Sequence, residues 1–225
     1  MRVIAGTLRS RPLISPRGEG TRPTSDRLRE TLFNILQTRI EEARFADLYA
    51  GTGAVGIEAL SRGAAHVLFA ERAEPALASL RANLQTLGIR SGYTLEPRSA
   101  ISALDRLIDR HTDRVAARDI EGKLNRPTGA VTARADLPAL DILFLDPPYD
   151  AAADYTNTLA LLGSARAQVL LAPAALIIAE HSSKLPLPPA FGRLRQTRTL
   201  KHGDTALTFF QAQVLPGADR PRLQP

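Results

Sequence analysis

Residues suited to chemistry gather at two points in this sequence, and the more specific of the two is Asp146-Pro147-Pro148-Tyr149. The tetrapeptide closes the apolar run Leu143-Phe144-Leu145. At average residue usage it arises by chance in roughly one chain in a thousand of this size, so coincidence explains it poorly. Its residue types suit an exocyclic amino group on a nucleobase, a weak nucleophile because its lone pair is delocalised into the ring. The Asp146 carboxylate and the Pro147 carbonyl can each accept one N–H and so aim the nitrogen lone pair at an incoming methyl. Two prolines fix φ and bring no N–H donors, which keeps the acceptors rigid. Tyr149 offers a ring on which an extruded base can stack. No strong base is required, because the methylated, cationic nitrogen sheds its proton readily and Asp146 can receive it.

The second point is Asp47-Leu48-Tyr49-Ala50-Gly51-Thr52-Gly53-Ala54-Val55-Gly56, where Gly51 to Gly56 spells G-x-G-x-x-G between a strand and a helix. Gly51 permits the tight turn, Gly53 lets a ligand approach the backbone, and Gly56 allows the helix to pack closely on the strand. Glu71 follows Gly51 by 20 residues, at the end of the next strand, where a carboxylate can hold both hydroxyls of a ribose. These features indicate a nucleoside cofactor at the switch point of a sheet, and both NAD and S-adenosylmethionine carry the ribose in question. Asp47 begins to separate them. A carboxylate is poorly placed beside a pyrophosphate and well placed beside the positive charge of S-adenosylmethionine.

Both motifs need strands to carry them, and the hydrophobic pattern from residue 45 onward supplies strands alternating with helices. Strands are predicted at Phe45–Tyr49, His66–Glu71, Tyr93–Glu96, Asp141–Leu145 and Ala174–Glu180, with helices at Ala54–Arg62, Glu74–Leu87, Ala100–Asp109 and Ala152–Leu162. Leu194–Leu200 and Thr205–Val214 flank His202-Gly203-Asp204 as a closing hairpin. Upstream, residues 1–14 read as a short hairpin, 15–23 as a turn-rich arm, and Leu28, Leu32, Phe33, Ile35, Leu36 and Ile40 as the apolar stripe of a helix. The expected fold is α/β: a Rossmann-like, seven-stranded, mostly parallel sheet with one antiparallel strand, preceded by a small hairpin and helix. Residues 110–137 are polar and without sustained period, and read as an insertion loop.

Charge divides the chain in three. Residues 1–45 carry nine basic side chains against five acidic, residues 181–225 seven against two, and the middle 13 against 16. Basic ends around a mildly acidic body suit a polyanion held by the termini. With no cysteine, disulfide scaffolds, thiolate metal sites and cysteine nucleophiles are excluded. His66, His111, His181 and His202 show no ligand clustering, so no metal is expected. The longest apolar run, Val169 to Ala179, is 11 residues and holds Pro173, too short for a membrane span. The cytoplasm is the expected location and a monomer the expected state.

Taken in order, Asp47…Gly51-Thr52-Gly53, Glu71 and Asp146-Pro147-Pro148-Tyr149 resemble the class I S-adenosylmethionine-dependent amino-methyltransferases. Arg22-Pro23-Thr24-Ser25-Asp26-Arg27-Leu28-Arg29-Glu30-Thr31-Leu32-Phe33-Asn34, with Glu58-Ala59-Leu60-Ser61-Arg62-Gly63-Ala64, is similar to a narrower group. That group is the RsmD family, bacterial methyltransferases acting on guanine N2 of 16S ribosomal RNA. The resemblance covers about residues 1–107 and 138–213. It implies that Asp47, Tyr49, Gly51, Gly53, Glu71, Arg72, Ser99 and Ala100 border the cofactor, and that Asp146, Pro147, Pro148 and Tyr149 form the catalytic turn. Arg9, Arg11, Arg22, Arg27 and Arg29 would contact phosphates of the RNA, free or in a small ribosomal subunit; an ion pair of Arg29 with Asp26 or Glu30 is the alternative reading. The implied organisation is a basic RNA-contacting extension over 1–44, a methyltransferase domain over 45–215 and a tail over 216–225.

One departure from the family pattern is Glu96-Pro97-Arg98-Ser99-Ala100, which stands where relatives often carry an aspartate near the adenine. Ser99 or backbone groups then serve instead. Three rival functions share parts of the pattern. An adenine-N6 DNA methyltransferase shares the catalytic turn, an NAD-dependent oxidoreductase shares only the glycines, and a non-catalytic RNA-binding protein would keep the pocket as a relic.

Overall fold

The computed structural model describes residues 1–15, 26–124, 139–148 and 151–213. Arg22, Tyr149, the arm from residue 16 onward and the tail at 216–225 lie outside the described residues. One sheet organises the chain, built from β1 (Arg44–Asp47), β2 (His66–Ala70), β3 (Tyr93–Glu96), β4 (Leu140–Leu145), β5 (Leu171–Ser182), β6 (Ala190–Phe191), β7 (Leu194–His202) and β8 (Thr205–Ala212). Their order is β3-β2-β1-β4-β5-β8-β7-β6. The first five run parallel; β8 is antiparallel to β5 and to β7, and β6 is antiparallel to β7. The expected seven strands are all present, with β8 as the reversed one, and the two-residue β6 is an eighth, too short to leave a period in the sequence.

Helices α1 (Asp26–Leu36), α2 (Ala54–Ser61) and α3 (Glu74–Thr86) bury apolar residues on one face of the sheet. There Leu32, Phe33, Ile57, Leu80 and Leu84 pack with Phe45, Phe69, Phe144, Ile178 and Phe209. Helices α4 (Ala100–Leu124) and α5 (Ala152–Gly163) cover the other face, where Leu104, Leu107, Leu159 and Leu162 meet Ala46, Leu68, Leu143, Ile177 and Phe210. Strand residues alternate between these two sets because successive side chains point to opposite faces. The connections after β1 and β2 cross one face and those after β3 and β4 the other, so the sheet reverses between β1 and β4. Crevices at such reversals are where ligands bind in open α/β sheets. Asp47 ends β1 and Asp146 follows β4.

Helix α4 corrects the sequence reading: residues 110–124 continue the helix instead of opening a loop. Apolar residues thin out after Ile108, which erased the period, yet the segment is rich in Arg, Ala and Asp and has no breaker before Gly122. A 3₁₀ turn at Arg166–Leu170 is also new, and β5 is longer than expected because it runs through Pro173.

The first 14 residues fold back as expected: the Val3 amide donates to Arg11 O (2.9 Å) and the Leu13 amide to Met1 O (3.0 Å). The hairpin is then clamped to α2 and α3 by buried polar side chains. Glu58 accepts the amides of Ile4 (2.7 Å) and Ala5 (2.9 Å), and Ser61 Oγ accepts that of Leu8 (2.9 Å). Asn83 accepts the Ile14 amide (2.7 Å) and donates both to Ile14 O (3.0 Å) and to Thr52 O (2.9 Å), tying the hairpin to the glycine turn. Glu58 also binds Arg62 Nε at 2.7 Å and lies 3.9 Å from Arg29 Nε, with neither its own side chain nor that of Arg29 exposed. Removing one member of a buried charge network leaves the others uncompensated. Glu58→Ala is therefore expected to cost about 3–5 kcal/mol in denaturant unfolding, and to expose residues 1–14 to limited proteolysis before the rest of the chain. A loss within the range of a surface substitution would refute the clamp.

Candidate active site and nucleic-acid surface

Asp47 leaves β1 fully buried, with Oδ2 accepting the Gly56 amide at 2.9 Å across the base of the glycine turn. Its carboxyl is pushed up to about 7: burial is the main cause, the Gly56 amide opposes it, and the charges of Asp146 and Glu71 add to it. Asp146 and Glu71 thus lie close enough to Asp47 to repel its charge. The turn itself is held by Gly53 N to Ala50 O (2.7 Å) and by Leu48 N to Phe144 O (3.0 Å), which fastens it to β4.

The glycines divide their duties differently from the sequence expectation. Gly53 has φ 81°, and a Cβ there would stand 2.2 Å from Leu80 Cδ1. Its bare α-carbon serves the close approach of α3. Gly51 is the position whose side faces open space, with nothing within 4 Å of a built Cβ. Gly56 does what was expected of it, since a Cβ would meet the Phe69 ring at 2.2 Å.

Glu71 spans the loops after β1 and β2. One oxygen accepts the Gly51 amide (2.8 Å) and the other accepts those of Arg72 and Ala73 (2.8 Å each). A carboxylate offers about four lone-pair sites, so acceptor capacity remains. Arg72 is exposed beside it. Tyr49 is half-buried, shares a 2.8 Å hydrogen bond with Thr158 Oγ1, and is pushed up to about 12 by burial, so it stays neutral. Ser99 accepts the Ser102 amide at 3.3 Å as a helix cap, and Ala100 is buried. Nearby, Glu96 is 2.8 Å from Arg98 Nε, with Arg106 and Arg110 within 4 Å. Its backbone carbonyl accepts the Glu71 amide at 3.2 Å.

At the end of β4, Asp146 is half-buried, Pro147 buried and Pro148 exposed. The N-cap of α5 is Ala151, so Asp146 is not the cap of that helix. Tyr155, itself buried, points its hydroxyl at Glu180 O (2.9 Å) and lies 3.4 Å from Pro147 O, tying the turn to β5. The register Leu145↔Ala179 sets Asp146 beside Glu180, and alternation puts both on the face that carries Asp47. Glu180 is 5% exposed and went unremarked in the sequence. The available signal was an acid ending an apolar strand beside the catalytic turn. Four carboxylates, Glu71, Asp47, Asp146 and Glu180, therefore end adjacent strands at one edge of the sheet. Such an edge favours a cation and offers acceptors to N–H donors.

Of the basic residues expected at nucleic acid, Arg9, Arg11 and Arg27 are exposed. Arg29 is a correction: it is 0% exposed, donating to Asp26 Oδ1 at 2.9 Å and to Arg2 O at 2.5 Å. Its helix position turns it under the hairpin, so it positions the extension and touches no polyanion directly. His181 is buried and hydrogen-bonded to Thr208, and burial lowers it. Among the described residues no group of three or more His, Asp or Glu could hold a metal ion, and no helix is long and apolar enough to cross a membrane.

A family profile described as "Conserved hypothetical protein 95" matches residues 1–211. The chain is 31% identical over 211 residues to the Bacillus subtilis (strain 168) protein named "Putative rRNA methyltransferase YlbH", covering 94% of this chain and 98% of that one. It is 37% identical over 151 residues to "Ribosomal RNA small subunit methyltransferase D" of Haemophilus influenzae, covering 66% of this chain and 64% of that one. Among solved structures, "Putative methyltransferase yhhF from Escherichia coli" superposes with a TM-score of 0.70 at 29% identity, covering 95% of this chain and 98% of that one. With the profile spanning both motifs and the fold to match, the chain belongs to the Conserved hypothetical protein 95 family, the RsmD-type methyltransferases.

Proposed function

We propose that the protein methylates the exocyclic N2 of a guanine in 16S ribosomal RNA, with S-adenosylmethionine as methyl donor. The observation that carries this reading is the pairing of Asp146-Pro147 with the glycine turn at the β1/β4 reversal, fixed by the Asp47↔Phe144 register and the Leu48 amide on Phe144 O. The similarity to proteins named as ribosomal RNA methyltransferases supports the substrate class. The residues present fit the cofactor: Gly51 opens onto free space, Glu71 keeps acceptor capacity for ribose hydroxyls, and the buried Asp47 carboxyl has anionic neighbours that a cation would relieve. S-adenosylmethionine supplies an electrophilic methyl on a positively charged sulfur.

The protein's own part is orientation. Asp146 and the Pro147 carbonyl accept the two N–H bonds of the guanine amine and turn its lone pair out of conjugation, and the proline-locked backbone keeps both acceptors in place. Tyr149 provides the stacking ring for the extruded base, and Asp146 takes the proton that the methylated nitrogen releases. Arg9 and Arg11, on the hairpin that Asn83 links to the glycine turn, hold RNA phosphates together with Arg27 at the start of α1 and with Arg22. Asp47 argues against a dinucleotide, since a buried carboxylate beneath the turn repels a pyrophosphate.

Asp146→Ala removes one of two acceptors and is expected to lower labelled-methyl transfer to 16S RNA by at least ~10²-fold, the scale of a misplaced reacting group. The cofactor should still bind this variant in a calorimetric titration; unchanged turnover would end the assignment. The state of Asp47 gives a second expectation. A cationic ligand prefers the ionised carboxylate, whose population grows about tenfold per pH unit well below 7, reaches half near pH 7 and saturates above it. Cofactor affinity should therefore climb between pH 5 and 7, approaching about tenfold per unit, and level off above. Asp47→Asn should flatten the profile; a wild-type affinity independent of pH over this range contradicts the role given to Asp47.

A further inference from the structure

The hairpin β7–β8 carries the second basic end of the chain, and nothing in the proposed reaction uses it. Residues 195–199 of β7 are all exposed, although the strand is hydrogen-bonded on both sides, to β8 and at its start to β6. Between Leu185 and Gln213 the only acidic residue is Asp204, in the turn, against Arg193, Arg195, Arg198 and Lys201.

A register shift between Gln196 and Arg198 decides where these cations point. In a regular strand, residues three apart face opposite sides. Here the bulge inserts one residue, as bulges do to re-aim side chains. Arg195 pairs with Gln211, which lies opposite Leu176 of β5, and Arg198 pairs with Phe209, which lies opposite Ile178. Leu176, Ile178 and Phe209 all belong to the face of the sheet that carries Asp47 and Asp146. The Arg198 guanidinium confirms its side by lying 6.0 Å from the Phe209 ring centroid. The Arg195 Nη1 is braced by the carbonyls of Gly192 (2.5 Å) and Leu194 (3.0 Å). Among the described residues neither arginine has an acidic partner. Lys201 pairs with Ala206 and, by alternation from the core-packed Leu200, points to the opposite face.

Strand β7 is three strands from β4 in the order β4-β5-β8-β7, about 14 Å across the sheet at ordinary strand spacing. It runs parallel to β4, with Arg198 level with Phe144 and Arg195 level with Ile142, two and four residues before Asp146. Arg195 and Arg198 thus lie on the side of the sheet to which Asp146 projects, lateral to β4 and short of the catalytic turn along the strand direction. The exposed arginines of the N-terminal hairpin lie over α2 and α3 on that same face. We propose that Arg195 and Arg198 form a second phosphate-contacting surface that holds the backbone of the substrate RNA on the far side of the target nucleotide. This surface rests on the reading of the protein as an RNA methyltransferase. The bulge brings both guanidinium groups to the substrate's side, and the fork geometry of arginine suits phosphate oxygens. The occupant is RNA because the surface is cationic, exposed and without an acidic partner among the described residues, and RNA bound at the catalytic turn extends tens of ångströms beyond the target nucleotide.

The test compares wild type, Arg195→Gln/Arg198→Gln, Arg195→Lys/Arg198→Lys and Lys201→Gln, all as full chains, binding protein-free 16S RNA across a salt series. The double Gln variant should bind about tenfold more weakly at physiological salt, with the slope of log K against log salt reduced by about 1.5, two phosphate contacts' worth. Its kcat at saturating RNA and its cofactor affinity should be unchanged, which a folding defect would not allow. The double Lys variant should keep the wild-type slope, and Lys201→Gln should keep both slope and affinity. A double Gln variant that matches wild type, or a Lys201→Gln loss of equal size, overturns the proposal while leaving the methyltransferase reading intact. A wild type with no salt-dependent affinity for this RNA overturns both.

Discussion

Like charges brought together at the edge of a low-dielectric core are the constraint around which this molecule is arranged. Asp47 is fully buried, and its neighbours Asp146 and Glu71 repel it, so its carboxyl is raised to about 7. Such an arrangement persists only where other groups compensate it. Backbone amides do this here: Gly56 to Asp47, and Gly51, Arg72 and Ala73 to Glu71. The amides come from the turns after β1 and β2, so the geometry of those turns and the placement of the carboxylates are one problem. A cationic sulfonium on this edge would relieve the remaining repulsion, while a pyrophosphate would deepen it.

Rigidity reaches this edge from behind. The hairpin over residues 1–14 is not a loose arm, because Glu58, Ser61 and Asn83 satisfy its amides with side chains from α2 and α3. Asn83 also binds Thr52 O, inside the glycine turn. The surface on which Arg9 and Arg11 are exposed is thereby joined, through one buried amide, to the turn expected to meet the cofactor. Arg29 belongs to the same framework, as its burial against Asp26 and Glu58 locks α1 beneath the hairpin.

The sequence disclosed what is encoded locally. Asp146-Pro147-Pro148 and the glycine turn are runs of adjacent residues whose types carry their own geometry, and the alternation of apolar patterns sufficed to place them on β4 and β1. Facts that depend on what folds over a residue were hidden. Arg29 looked like a phosphate ligand because its burial is imposed by a hairpin distant in sequence. The packing duty of Gly53 was hidden because Leu80, the side chain it admits, comes from a later helix. Glu180 was invisible as a member of the acidic edge because only the β4–β5 register sets it beside Asp146. The polar second half of α4 lacked an apolar period, and β6 was too short to have one.

In the proposed reaction two fixed acceptors, with no nucleophile and no strong base, select an exocyclic amine. The most direct measurement is the position of the transferred methyl: 16S RNA is treated with the protein and isotope-labelled S-adenosylmethionine, digested to nucleosides, and the label located by mass spectrometry and NMR. A single labelled product with the methyl on guanine N2 is expected. Label on a ring carbon or a ribose oxygen, chemistries that need a nucleophile or base absent from this turn, would contradict it.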